Sequence, residues 1–105
     1  MHDLNYDRIC RTSRSESYLI SQGDEPIARV ELHYAHRAVY GLLVIEKPAE
    51  EIGDREIAEL RDQIDLDLVE TAEMPREDFI LSVYYGHEVG TFPDPDTRLD
   101  EGTPE

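Results

Sequence analysis

The sequence predicts an α+β fold: an antiparallel meander of four strands, one long helix across the sheet, then a fifth strand (ββββαβ). Three observations carry this prediction. Apolar and polar residues alternate in the first half, the period becomes helical after residue 54, and a last apolar run covers 79–85. With 105 residues, 39% of them hydrophobic, the chain can build one core. We expect one domain over 1–90 and a disordered, acidic, proline-containing tail over 91–105.

The first two strands are short and differ in strength. Residues 6–12 form a weak strand pattern with Tyr6, Arg8 and Cys10 on one face. Residues 16–21 form the second strand, which ends at the turn-forming sequence Gln22-Gly23-Asp24-Glu25. Short connections of this kind favour antiparallel neighbours.

The next two strands carry the clearest strand signals. In residues 27–34 the apolar side chains Ala28, Val30, Leu32 and Tyr34 alternate with polar ones, which predicts a half-buried strand. Residues 38–46 are apolar on both faces, which predicts a strand in the interior of the sheet.

A helical stripe follows. Its apolar members recur every three or four residues and are Ile57, Leu60, Ile64, Leu68 and Ala72. They predict a helix from about residue 54 to 72, with Asp54 as the N-cap and an end before Pro75. Residues 65–70 also alternate, so a short strand there is an alternative, although helix propensity and the shortness of the run favour the helix.

Residues 79–85 complete the sheet and raise a question about its second face. Both this strand and 38–46 are apolar on two sides, yet one helix covers only one side of a sheet. Either the sheet curls on itself or a second copy covers the open face. We favour a homodimer, since two-fold dimers are the commonest assembly of soluble proteins.

Charge is divided unevenly along the chain. Residues 1–48 carry seven acids and six bases, whereas residues 49–105 carry eighteen acids and four arginines, within a net charge of −15. Acidity of this degree argues against direct binding to nucleic acid or to an acidic membrane surface. It fits a solvated surface or a basic partner. Arginine outnumbers lysine nine to one, which indicates GC-rich coding and a bacterial source.

The acidic helix is the leading candidate for function. A stripe facing the sheet leaves these positions on the outward side: Arg55, Glu59, Asp62, Leu66, Glu70 and Glu73. The plain interpretation is a solvated helix face. The functional hypothesis is a macromolecular interaction module in which carboxylates and Leu66 dock a basic protein. A stronger form is an inhibitor that mimics the phosphate backbone of nucleic acid.

The alternative hypothesis is a small-ligand or metal binder, or an enzyme, that uses tyrosines and histidines at strand ends. Its candidates are His33, Tyr34, His36, Tyr84 and His87. His33 and His36 would face opposite sides of a strand, so a shared metal ion is not expected. Arg8, Arg11 and Arg14 could bind an anion, but pairing with acids of the helix or of a second subunit is the more ordinary expectation.

Motifs for catalysis or cofactor binding are not found. No triad spacing, phosphate loop or cysteine cluster is present, so we expect no cofactor and no metal, and the balance leans away from an enzyme. There is no signal-peptide core and no apolar run long enough to span a bilayer, which favours the cytoplasm.

Overall fold

A five-stranded sheet with one helix packed on it forms the fold, as the sequence predicts. The structure, a computed structural model, describes residues 3–46, 52–70, 78–86 and 89–93. Its strands are β1 (Leu4–Arg11), β2 (Ser15–Gln22), β3 (Glu25–Tyr34), β4 (Ala38–Ile45) and β5 (Asp78–Tyr85). The helix α1 (Asp54–Ile64) lies between β4 and β5 and continues as a π-helical segment, Asp65–Val69. The expected tail lies outside the described residues from residue 94 onward.

Strand order in the sheet follows the chain, β1-β2-β3-β4-β5. The first four strands pair antiparallel as a meander, and β5 pairs parallel to β4. A parallel neighbour requires a crossover, and α1 supplies it. The two-residue loop between β2 and β3 begins at Gly23, whose φ of +61° suits glycine.

The core lies between α1 and one face of the sheet. Alternation on β3 behaves as predicted, because Ala28, Val30, Leu32 and Tyr34 are all buried. From β4 and β5 come Val39, Leu43, Ile45 and Phe79, and from the crossover and helix come Ile52, Leu60, Ile64, Leu68 and Val69.

The helix differs from the sequence prediction in its N-cap and in its last described turns, and its predicted end at residue 72 lies outside the described residues. The N-cap is Gly53, not Asp54. The Glu56 carboxylate accepts a hydrogen bond from the Gly53 backbone N–H at 3.1 Å, so a side chain in the first turn satisfies the cap. At the other end the chain stays helical through Val69, which excludes the alternative strand there. It does so with wider π turns, in which the Glu70 N–H bonds to the Asp65 carbonyl.

A β-bulge in β1 changes which way one side chain points. Arg8 pairs with Tyr18, whereas Cys10 pairs with Ser17, so two steps on β1 match one step on β2. The prediction that Cys10 shares a face with Tyr6 and Arg8 is therefore wrong. Cys10 lies on the opposite face of the sheet, and Ile9 occupies the bulge.

The sheet face opposite the helix, here called the open face, is divided into two halves. On β2 and β3 it presents mainly polar side chains, including Arg29, Glu31 and His33. On β4 and β5 it presents a block of three paired rows: Tyr40 with Ile80, Leu42 with Ser82, and Val44 with Tyr84. No described segment packs over this block, in which Tyr40, Ile80 and Tyr84 are exposed and Leu42 and Val44 are half-buried.

Candidate functional site

The outward side of the helix carries a row of side chains that we call the acidic stripe: Glu59, Asp62, Leu66 and Glu70. Successive members are three or four residues apart, so they lie on one side of the helix. All four are exposed, and Leu66 is 56% exposed. The structure thus brings together four of the five residues expected to bind a partner. Glu73, the fifth, lies outside the described residues.

Two arginines of the same helix lie beside the acidic stripe, and one of them, Arg61, pairs with its member Asp62. Residues 54–70 hold seven acids and two arginines. Arg55 lies in the first turn, 3.8 Å from the Glu56 carboxylate. Arg61 reaches toward β5, where its guanidinium donates to the Phe79 carbonyl at 3.1 Å and lies 5.1 Å from the Phe79 ring centre. A second contact from Arg61, at 3.3 Å, goes to Asp62.

The carboxylate of Asp67 serves the fold instead of the stripe. Tyr6 on β1 donates its hydroxyl to Asp67 at 2.9 Å, and Gln63 donates to the same oxygen at 2.9 Å. Burial, together with the hydrogen bond to this carboxylate, raises the pKa of Tyr6 well above its usual range. Asp67 therefore fixes the π-helical segment to the first strand.

A second polar cluster lies at the other end of β1 and β2, around Glu16. The Glu16 side chain is 11% exposed and lies 3.7 Å from Arg8 and 3.5 Å from Arg11. Tyr18 donates to it at 2.7 Å and Tyr34 at 3.5 Å. The two arginines thus pair with an acid of the neighbouring strand, which the sequence analysis missed. The available signal was the antiparallel register, which places Glu16 opposite Arg11.

Burial is the largest cause of the raised pKa values of the two tyrosines in this cluster. It raises the pKa of Tyr34 to about 12, with the Glu16 charge as the next cause. It also raises the pKa of Tyr18, and the hydrogen bond to Glu16 adds to that rise. Both hydroxyls therefore stay protonated and act as donors to Glu16 at neutral pH.

The structure does not bring together the described residues of the alternative ligand site. Tyr34 is buried on the helix side of the sheet, whereas the neighbouring His33 is exposed on the open face, 3.8 Å from Glu31. His36 is exposed in the turn that precedes β4. Tyr84 is on the open face, but it lies in the row of Val44 and Arg29, four residues along the strands from the row of His33. His87 lies outside the described residues.

Other features of the described residues add no candidate site. They hold no group of three or more histidine, cysteine or acidic side chains arranged to bind a metal ion. No described helix is long and apolar enough to cross a membrane. Comparison of the chain with protein-family models, with curated proteins and with solved structures found no match.

Proposed function

We propose that this protein is a macromolecular interaction module that binds a basic partner protein through the acidic stripe. The observation that carries the proposal is the position of Leu66. It is 56% exposed in a row with Glu59, Asp62 and Glu70, on the side of the helix that faces away from the core. An apolar anchor surrounded by charge is the usual anatomy of a hot spot with a polar rim.

Electrostatics supports the choice of a basic partner. The described helix carries a net charge of −5, whereas residues 1–48, a range that includes β1–β4, carry a net charge of −1. The negative potential is therefore concentrated on the helix side of the molecule. Such a field attracts lysine- and arginine-rich surfaces and speeds their association.

This charge pattern lowers the stability of the helix. Like charges three or four residues apart on a helix destabilise it by a few tenths of a kcal/mol per pair. Solubility alone could be achieved with interspersed bases, as in the first half of the chain. A basic partner gives a reason for the pattern, while a merely solvated surface does not require it.

The proposal has two forms, which differ in whether the partner also binds nucleic acid. In the simpler form the acidic stripe docks any basic protein surface. In the stronger form the partner is a nucleic-acid-binding protein, and the carboxylates occupy its phosphate sites. The stronger form predicts that the partner cannot hold this protein and nucleic acid at the same time. A competition assay with labelled duplex separates the two.

The test begins with a pull-down from the native host, identified by mass spectrometry and repeated at about 1 M salt. There charges are screened within about 3 Å, so a stripe-mediated complex should weaken. Affinity for the identified partner is then measured after Glu59, Asp62 and Glu70 are changed to lysine. The matched control changes three exposed acids away from the helix, Asp7, Asp24 and Glu25, to lysine.

The two triple variants change net charge equally, so only the position of the change differs. The proposal expects loss of binding with the stripe variant and much smaller loss with the control, while circular dichroism shows both folded. Leu66→Ala should weaken the complex without weakening the fold. Equal effects of both triple variants on binding would contradict the docking role and would mean that the acidic stripe is only a solvated surface.

The competing proposal is a small-ligand or metal-binding activity of His33, Tyr34, His36, Tyr84 and His87. Placement of its described members on both faces of the sheet gives it less support. Titration with divalent metal ions, observed through histidine NMR signals, checks it directly.

We also propose that the module acts as a homodimer. Support comes from the apolar block of the open face on β4 and β5. That block has a footprint of roughly 200 Å² from strand spacings, whereas a stable interface needs about 800 Å² per partner. Stacking of this block alone is therefore insufficient, and a dimer needs a further contact. Sedimentation at micromolar concentration tests the assembly.

A further inference from the structure

The two edges of the sheet are protected very differently. The β1 edge carries Asp7, Arg8 and Arg11 and is bent by the bulge at Ile9. Charges and bulges are the usual means by which natural proteins block pairing at an edge strand. In β5 the seven residues after Asp78 are uncharged, contain no proline or glycine, and pair with β4 without a bulge. Among the described residues no strand pairs with the outer side of β5.

The direction of the β5 backbone groups follows from the ladder with β4. The Gly86 N–H donates to the Ile45 carbonyl at 2.9 Å, so the even-numbered residues of β5 direct their backbone groups toward β4. Phe79, Leu81, Val83 and Tyr85 therefore direct their N–H and C=O groups outward.

One of these four outward positions is already capped by side chains. The Phe79 N–H donates to the Asp78 carboxylate at 2.8 Å, and the Phe79 carbonyl accepts from Arg61 at 3.1 Å. The outward donors and acceptors beyond this cap belong to Leu81, Val83 and Tyr85. The open stretch is therefore centred on Val83.

We infer that β5 pairs antiparallel with β5 of a second copy, about a two-fold axis at Val83. In this register Val83 opposes its own counterpart and Leu81 opposes Tyr85 of the other copy. The three opposed pairs each exchange two hydrogen bonds. Together they use the three outward N–H groups and three outward C=O groups of each copy. The symmetry is that of an isologous interface, and an uncharged edge is where a chain of net charge −15 can approach its own copy.

Side-chain pairing also suits this register. On the open face Ser82 opposes Tyr84 of the second copy, in a pair without hydrogen bonds, where side chains come closest. On the helix side Leu81 opposes Tyr85, an aliphatic–aromatic pair. No charged residue of the described β5 enters these rows, because Asp78 stays beside the capped end.

Two measurements on the unaltered protein test the inference. The mass in solution should rise from 12.1 kDa to twice that value as concentration increases through the micromolar range. Over the same range the amide protons of Leu81, Val83 and Tyr85 should become protected from exchange. Those of Ser82 and Tyr84, already bonded to β4, should be protected at every concentration.

A pair of variants isolates the edge. Val83→Pro removes an N–H that does not bond to β4, so the β4–β5 ladder can persist while edge pairing is blocked. Val83→Ala removes similar side-chain packing but keeps that N–H. We expect Val83→Pro to be monomeric and Val83→Ala to dimerise, with circular dichroism showing both folded.

Cross-linking fixes the register. In a Cys10→Ser background, a mixture of Ser82→Cys and Tyr84→Cys should form a disulfide-linked heterodimer under mild oxidation. Neither variant alone should cross-link efficiently, because each position lies diagonal to its own counterpart.

Three results would overturn the inference: a constant monomer mass, equal dimerisation of the two Val83 variants, or protection of Leu81, Val83 and Tyr85 in a monomer. The last would mean that another segment of the same chain covers the edge. Salt separates this inference from the proposed function. The dimer should persist at about 1 M salt, where binding of a basic partner through the acidic stripe should weaken.

Discussion

Raising the pH from about 9 to about 11 should destabilise this fold, and Tyr34 should account for a measurable share of the loss. Its side chain is buried, 6% exposed, and the fold raises its pKa from 10.0 to about 12. Between these values the unfolded chain has lost the proton and the folded chain retains it. The stability contributed by Tyr34 is therefore complete below about pH 10 and is lost as pH rises through about 12.

The magnitude follows from linkage. At about pH 11 the unfolded tyrosine is one pH unit above its pKa, which corresponds to a loss of about 1.4 kcal/mol in the free energy of unfolding. Tyr6, with its pKa also raised, adds up to a similar amount, reduced because its side chain is only half-buried. Tyr18, whose pKa is also raised, adds a loss of the same sign, so the share of Tyr34 is isolated by its own variant.

Urea unfolding at a series of pH values, followed by circular dichroism, measures the effect, and tyrosinate absorbance reports ionisation in the folded state. Tyr34→Phe is the informative variant. It loses only a 3.5 Å contact with Glu16 at neutral pH, yet it should lose about 1.4 kcal/mol less than the natural chain between about pH 9 and 11. Identical pH dependence of the two proteins would refute the reasoning.

The same urea assay checks substitutions at four further positions. Leu43→Ala should cost about 2–5 kcal/mol because the side chain is fully buried, and Leu42→Ala about 1 kcal/mol because it is half-buried on the open face. Gly23→Ala should cost about 1 kcal/mol at φ +61°, and Gly23→Asn less. Arg61→Ala should cost about 1–2 kcal/mol through its contacts with Phe79, and Arg61→Lys should recover part of it; no difference between the two would contradict a role for the guanidinium.

Strands and helix were predictable because each leaves a periodic pattern in side chains. From Ala28 to Tyr34 on β3, alternation and burial agree, since one face of the strand meets the core and the other does not. Ile27, which adjoins a shift in the pairing with β2, is buried as well. For β4, apolar residues on both faces indicated a strand flanked on two sides, and it lies between β3 and β5. The outward position of Leu66 followed from the stripe on the other side of the helix.

Features without a periodic signature could not be predicted. The bulge at Ile9 adds one residue to β1, and the sequence of a weak strand does not mark it. The π-helical segment buries Leu68 and Val69 together, which a strict α-helical period does not anticipate. Pairing of Glu16 with Arg8 and Arg11 depends on strand register, and capping by Gly53 depends on where Glu56 reaches.

The crossover between β4 and β5 sets an order of events during synthesis. The meander β1–β4 is built from neighbours in sequence, so it can form as soon as those residues are available. The partner strand of β4 ends forty residues later, at Tyr85. At about 5–20 residues per second the ribosome needs roughly 2–8 s to supply it. For that interval the apolar β4 is an exposed edge on a nascent chain, so the risk of misassembly falls at this stage of synthesis.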